Sequence, residues 1–172
     1  MPPFGERFGM RGAAISAVDL VRGLARLVGM DVLEVAGATG YYDTNYAGKG
    51  EEAARALERY DFVLVHIEAP DEASHNGELE EKIRAIEMVD EHVVRPLVEA
   101  ARATGAGVMV ASDHPTPMAV RTHTGSPTPF AVSGEGVRRT GAEAFSERAA
   151  RATGVHYERG WELLPALLSG ED

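Results

Sequence analysis

Five aspartate and histidine side chains have the types and spacing of metal ligands: Asp71, His75, Asp113, His114 and His123. Carboxylate oxygen and imidazole nitrogen together suit divalent manganese or zinc better than calcium or magnesium. The chain contains no cysteine, so no thiolate competes for such an ion. The set predicts a site for divalent metal and the phosphoryl-transfer chemistry that such ions support.

The spacing of these residues indicates how they could converge. Asp71 and His75 are four residues apart, so they share one face if a helix begins at Asp71. Asp113 and His114 are neighbours, and neighbours in an extended segment point in opposite directions. The adjacent pair could therefore serve two ions rather than one, as in a binuclear centre.

Simpler interpretations stand beside this one. Asp71 could cap the helix that follows it, and a single histidine is more often a packed or surface group than a ligand. His66, inside a predicted strand, and His92, on a charged helix, are interpreted as structural. The following glutamates favour a solvated helix start, where negative charge is stabilising: Glu78, Glu80 and Glu81.

The apolar pattern predicts helices and strands in alternation. Helices are predicted over Ala13–Val28, Tyr46–Arg59, Leu79–Leu97, Glu143–Ala152 and Trp161–Leu168. Pro96 is expected to bend the third helix, so that it runs in two pieces. Strands are predicted over Asp31–Ala36, Asp61–Ala69, Ala106–Ser112 and Pro129–Ser133.

The strand Asp61–Ala69 is nearly continuous in apolar residues, which predicts the centre of a sheet covered on both faces. Strands that alternate with helices indicate a parallel or mixed α/β sheet. In such sheets the chemistry lies beyond the carboxyl ends of the strands. The metal-ligand candidates fall in loops at that predicted edge.

The bulk composition limits the class of protein. A chain of 172 residues predicts one α/β domain over residues 1–172, and no apolar run approaches the length of a membrane span. A net charge of −10 argues against a nucleic-acid partner. The opening residues lack the apolar stretch of a secretory signal, so we expect a cytoplasmic protein without a membrane partner.

Three stretches add a resemblance to a known family. They read ERFGMRGAAISAVDLVRGLARLVGMDVLEVAGATGYYDTNY, DFVLVHIEAPDEASHNG and SDHPTPMAVRTHTGSPTPF. These resemble the archaeal-type 2,3-bisphosphoglycerate-independent phosphoglycerate mutases, which belong to the alkaline phosphatase superfamily. The resemblance covers nearly all of the chain and weakens after about Ser133.

The resemblance implies a fold and an activity. The fold is a three-layer α/β core like that of alkaline phosphatase, with a mostly parallel sheet. The activity is the interconversion of 2-phosphoglycerate and 3-phosphoglycerate in glycolysis and gluconeogenesis, an isomerase reaction that depends on two divalent ions. Asp71, His75 and His123 match the ligands of one ion, and Asp113 and His114 match ligands of the other.

In this family a serine takes up the phosphoryl group, and it lies in an N-terminal part that the stretches above do not match. The chain is therefore expected to form an incomplete core, without the N-terminal strands and the inserted domain, and to be inactive by itself. Ser16, Ser74 and Ser112 are poor replacements, because none has the expected position at a strand end. An incomplete sheet is also expected to expose an edge or an apolar surface, so that a homo-oligomer or a partner with the rest of the fold is possible.

Supporting roles and other functions remain open. Arg11, Glu68 and Arg121 are candidates for binding substrate or supporting the ligands. A phosphatase or phosphonate hydrolase of the same superfamily would share these metal loops. A remnant that binds metal or phosphate without catalysis is the alternative from another class.

Overall fold

The computed structural model of the protein describes residues 2–169. Its strands are β1 (Gly12–Ile15), β2 (Asp31–Val32), β3 (Phe62–Val65), β4 (Val108–Ala111) and β5 (Phe130–Ser133). Its α-helices are α1 (Phe4–Phe8), α2 (Asp19–Leu27), α3 (Tyr46–Ala56), α4 (Ala69–Asn76), α5 (Leu79–Val89), α6 (Arg95–Thr104), α7 (Glu147–Ala152) and α8 (Leu163–Ser169). A π-helical turn spans Asp90–Val94, and a 3-10 turn spans Gly160–Glu162.

The chain divides into two compact units. The first contains the residues up to Ala100 together with Thr116–Thr122. The second contains Ala101–Pro115 together with the residues from His123 onward. The expectation of a single domain over residues 1–172 stays a prediction.

The first unit contains a three-stranded parallel sheet in the order β2-β1-β3. Ala14 of β1 pairs with Val32 on one side and with Leu64 on the other. Helices α2 and α3 contact β1 as well, and three of its four residues, Ala13–Ile15, are at most 1% exposed. The predicted α/β class with a parallel sheet is confirmed in this unit.

The prediction of a helix over Ala13–Val28 is wrong in its first part. That part forms β1, and the helix α2 begins only at Asp19. Small alanine side chains suit β1 because strands and helices cover it on several sides, a tertiary effect that outweighs local periodicity. The prediction that Asp61–Ala69 forms the central strand is also wrong, because β3 lies at an edge of the described sheet and β1 at its centre.

The long helix after α4 runs in two pieces, as predicted. Helices α5 and α6 are separated by the π-helical turn, and Pro96 follows that turn directly. Because proline has no N–H, the carbonyl of His92 cannot accept the usual bond from residue 96. A Cβ at Gly50 of α3 would overlap this carbonyl, so the lack of a side chain there lets α3 approach the turn closely.

An apolar stripe on α2 is exposed. Leu20, Leu24 and Leu27 are 71%, 50% and 74% exposed, and their spacing places them on one helical face. Ala25 lies on the opposite side and is buried. Helix α2 therefore exposes apolar surface, and the expectation that such a surface lies where further strands belong stays a prediction.

The second unit contains a two-stranded antiparallel sheet. Strand β4 pairs with β5 from Val108 opposite Ser133 to Ala111 opposite Phe130. Residues along both strands alternate between partly buried and exposed. Each strand therefore has only one covered face, and the pairing in this unit is antiparallel.

The C-terminal helices are confirmed, with shorter limits. Helix α7 begins at Glu147, where Ser146 caps it by accepting a hydrogen bond from the N–H of Ala149 at 3.2 Å. Trp161 belongs to the 3-10 turn that leads into α8. Among the described residues, no helix is both long and apolar enough to cross a membrane.

Candidate metal centre

Helix α4 places Asp71 and His75 side by side. It begins at Ala69, four residues after the carboxyl end of β3, with Pro70 in its first turn. One turn of helix separates Asp71 from His75, and Oδ2 of Asp71 lies 3.1 Å from Nε2 of His75. The two side chains are 20% and 34% exposed, so both remain accessible to a small ion.

The loop Thr116–Thr122, called loop 116–122 below, contacts both side chains from the same unit. The hydroxyl of Thr116 donates a hydrogen bond to Oδ1 of Asp71. The backbone carbonyl of Arg121 lies 2.9 Å from Nδ1 of His75. The carbonyl of Thr116 in turn accepts a bond of 3.0 Å from Nζ of Lys82 on α5.

These contacts determine which atoms are available to a cation. A carbonyl can only accept, so Nδ1 of His75 carries the proton and Nε2 of the neutral ring has a lone pair. Nε2 then faces Oδ2 of Asp71, which is also an acceptor. One nitrogen donor beside one oxygen donor is a pair that fits manganese or zinc.

Three other predicted ligands lie in the second unit. Rings of His114 and His123 stack with centroids 3.6 Å apart and planes at 28°. Oδ2 of Asp113 lies 3.3 Å from Nε2 of His114, and the N–H of His114 donates to Oδ1 of Asp113 at 3.0 Å. The assumption that this adjacent pair is extended and points in opposite directions is wrong, because the backbone bends there.

The candidate supporting residues have different positions. Arg11 precedes β1 and pairs with Asp31 at 3.6 Å, at the amino end of the sheet. Because β1 and β3 are parallel, Arg11 is at the opposite edge from α4, and its position does not support contact with a substrate held there. Glu68 directly precedes α4, and Arg121 reaches His75 through its backbone carbonyl rather than its guanidinium.

A hydrogen-bonded chain that the sequence analysis missed joins the carboxyl ends of β1 and β3. Ser16 Oγ lies 3.2 Å from Nδ1 of His66, and Nε2 of His66 lies 3.2 Å from Oε2 of Glu68. Lys49 is only 1% exposed, and burial lowers its pKa while the nearby Glu68 carboxylate raises it. His66 and Glu68 alternate with Val65 and Ile67, and this alternation was the available signal.

The three serines considered as possible nucleophiles form hydrogen bonds within the protein. Ser16 does lie at a strand end, contrary to the sequence-based expectation, but it is 3% exposed and also accepts a bond of 3.1 Å from the N–H of Val18. Ser74 is fully buried and donates to the carbonyl of Pro70 at 2.6 Å. Ser112 lies 3.4 Å from the carbonyl of His114.

Known proteins resemble this chain over nearly all of its length. A family model described as the Metalloenzyme superfamily matches residues 1–156. The chain is 48% identical over 172 residues to the 2,3-bisphosphoglycerate-independent phosphoglycerate mutase of Methanothrix thermoacetophila. This match covers 99% of the chain and 44% of the relative. It is 47% identical over 170 residues to a probable enzyme of the same name from Geobacter sulfurreducens, over 98% of this chain and 43% of the relative.

Solved structures show the same partial match. A protein from Pyrococcus horikoshii superposes with a TM-score of 0.92 at 34% identity, over 99% of this chain and 51% of that one. A cofactor-independent phosphoglycerate mutase from Thermoplasma acidophilum superposes with a TM-score of 0.69 at 28% identity, over 100% of this chain and 40% of that one. The chain thus spans less than half the length of the curated relatives described above.

Proposed function

Because the chain belongs to the Metalloenzyme superfamily, we propose that its residues form a large part of a two-metal centre for phosphoryl transfer. The relatives carry the name of the mutase family that the three sequence stretches resemble, which confirms that resemblance. The proposed reaction of the complete protein is the interconversion of 2-phosphoglycerate and 3-phosphoglycerate. The proposed cofactors are two divalent ions, manganese or zinc.

The proposed ligands follow the family pattern. Asp71, His75 and His123 would hold one ion, and Asp113 and His114 would contribute to the other. When bound, such ions polarise a phosphoryl group and neutralise its charge. Two of these ligands, Asp71 and His75, are held one helical turn apart at the carboxyl edge of a parallel sheet.

The strongest support for this proposal is the geometry of Asp71 and His75. Oδ2 of Asp71 and Nε2 of His75 are 3.1 Å apart, and loop 116–122 occupies the other polar atom of each side chain. Each ligand is therefore oriented by a hydrogen bond on its far side, which is the usual arrangement around protein-bound metals. Glu68, which directly precedes α4, is proposed as a further supporting residue.

The proposed role of this chain is to supply metal ligands, not the nucleophile. Ser16 and Ser74 are at most 3% exposed, so neither hydroxyl can meet a phosphorylated substrate. We expect the 172-residue chain by itself not to convert 3-phosphoglycerate. Conversion is expected only when a serine-bearing remainder of the fold is supplied.

Metal titration of the chain tests the proposed ligands. Calorimetry with manganese or zinc should show binding by the unmodified chain. Asp71→Asn and His75→Gln should weaken it at least about tenfold, since each removes a direct donor. Glu80→Gln and His156→Gln are matched controls, because they make the same chemical changes at exposed positions outside the proposed ligand set. Equal affinity in ligand variants and controls would contradict the assignment.

Phosphorus NMR with 3-phosphoglycerate tests the reaction. The chain alone should leave the substrate unchanged in the presence of manganese. The chain complemented by the N-terminal part of a relative should form 2-phosphoglycerate and release little inorganic phosphate. Release of inorganic phosphate as the main product would instead identify a hydrolase, and turnover by the chain alone would overturn the assignment of the nucleophile to another segment.

A further inference from the structure

We propose that Thr116 and Arg121, near the two ends of loop 116–122, are positioning residues for Asp71 and His75. The inference rests on the proposed metal-binding role of that pair. It adds two residues that do not touch the ion themselves. Each forms a hydrogen bond with the polar atom of a ligand that is not the one proposed to bind the ion.

Arg121 acts through an unusual backbone conformation. Its φ is 53°, and it is the one non-glycine residue with a positive φ among residues 2–169. Its N–H donates to the carbonyl of Pro117 at 2.9 Å, which closes a turn, and the left-handed residue then directs its own carbonyl to Nδ1 of His75. This carbonyl selects the ring form in which the lone pair lies on Nε2, the form that a metal ligand needs.

The end of α4 is shaped to receive Arg121. Gly77 follows the helix with a φ of 75°, a conformation that glycine adopts readily. A Cβ at residue 77 would also overlap the guanidinium of Arg121. The guanidinium of Arg121 therefore packs against the helix end that carries His75, at a position where the positive φ favours glycine.

Thr116 orients Asp71 by a hydrogen bond, as the Arg121 carbonyl orients His75. It is 6% exposed, and its hydroxyl donates to Oδ1 of Asp71. Its carbonyl is held by Nζ of Lys82 at 3.0 Å, so the threonine is anchored from α5. Oδ2 is thereby left directed toward Nε2 of His75.

The first test is the effect of Thr116 on metal affinity. Thr116→Val keeps the shape and removes the hydroxyl, and we expect manganese and zinc to bind about tenfold more weakly. Thr116→Ser should restore most of the affinity, because it keeps the donor. Thr153→Val is the matched control, because the hydroxyl of Thr153 also donates a hydrogen bond, to the carbonyl of Ala150 at 2.7 Å, but lies far along the chain, just after α7. Unchanged affinity in Thr116→Val would overturn the role of Thr116.

The second test uses the metal-free chain and does not depend on metal binding. Nitrogen NMR of the imidazoles, at a pH where they are neutral, should show His75 protonated on Nδ1. Glycine tolerates a positive φ, so Arg121→Gly should keep the Nδ1-protonated form of His75. A valine at a positive φ strains the backbone, so Arg121→Val should shift His75 toward the Nε2-protonated form. The same form of His75 in both variants would overturn the role of Arg121. If the unmodified chain bound no metal, the proposed function would fail, and this comparison would still decide whether Arg121 orients His75.

Discussion

The hydroxyl of Ser16 lies 3.2 Å from Nδ1 of His66, and this contact joins the carboxyl ends of β1 and β3. Nε2 of His66 faces the carboxylate of Glu68, which accepts, so the neutral ring accepts the Ser16 proton at Nδ1. The polarity resembles that of a serine beside a catalytic base. At 3% exposure, however, Ser16 fixes two strands rather than meeting a substrate.

Ser16→Ala should therefore destabilise the chain. The substitution leaves the N–H of Val18 and Nδ1 of His66 without the hydroxyl, and we expect a loss of about 1–3 kcal/mol in the free energy of unfolding. Urea unfolding followed by circular dichroism measures it. Ser126→Ala, at an exposed serine, should change the value by less than about 0.5 kcal/mol. An equally small change for Ser16→Ala would show that its bonds are dispensable.

The position of Ser16 also shows where sequence reasoning failed. The residues from Ala13 to Ile15 continue the helical spacing of the segment after them, and nothing local distinguishes them from it. Their strand conformation depends on pairing with β2 and β3, which are distant in sequence. Spacing predicted the helix α5, although Leu79, Ile83 and Ile86 of its apolar stripe are about half exposed, but it did not predict a short strand that is enclosed by other elements.

Lys49 predicts a dependence of stability on pH. Burial lowers the pKa of this lysine, so the folded chain loses the proton at a lower pH than the unfolded chain, whose lysine titrates near 10.5. Between these two values the unfolded state binds more protons, and stability rises with pH. Lys49→Met removes the proton and should flatten this rise.

Urea unfolding at a series of pH values from neutral to about 10 checks this prediction. The difference in stability between Lys49→Met and the unmodified chain should move in favour of the unmodified chain as pH rises. Arg26→Met replaces an exposed positive side chain with the same residue, methionine, and should leave the slope unchanged. Parallel curves for the unmodified chain and Lys49→Met would refute a depressed pKa at Lys49.

The candidate metal site was predictable only in part. A spacing of four residues was enough to expect Asp71 and His75 on one helical face, and α4 has them there. Neither the hydroxyl of Thr116 nor the carbonyl of Arg121 could be inferred in the same way. A backbone carbonyl is common to every residue, so only the three-dimensional turn shows which one meets His75.

Tyr42 should titrate well above an ordinary tyrosine. Its hydroxyl donates to Oε2 of Glu78 at 2.6 Å, and this bond to a carboxylate raises the pKa of Tyr42. Glu78→Gln removes the carboxylate that opposes ionisation, so it should lower this pKa. Phenolate absorbance titrations, with Tyr42→Phe used to assign the signal, measure the shift. Glu80→Gln should leave the titration unchanged, and an equal effect from both glutamate variants would exclude a specific bond.

Two helical glycines should respond in opposite directions to alanine. At Gly50 a Cβ would overlap the carbonyl of His92, so Gly50→Ala forces α3 away from the π-helical turn and should cost about 1–3 kcal/mol of unfolding free energy. At Gly23, within α2, a Cβ would meet no atom within 4 Å, and Gly23→Ala should gain about 0.5–1 kcal/mol through helix propensity. Urea unfolding of the pair separates close packing from propensity, since the chemical change is identical. A gain in stability at Gly50 as well would mean that α3 and the turn are not packed as closely as the structure has them.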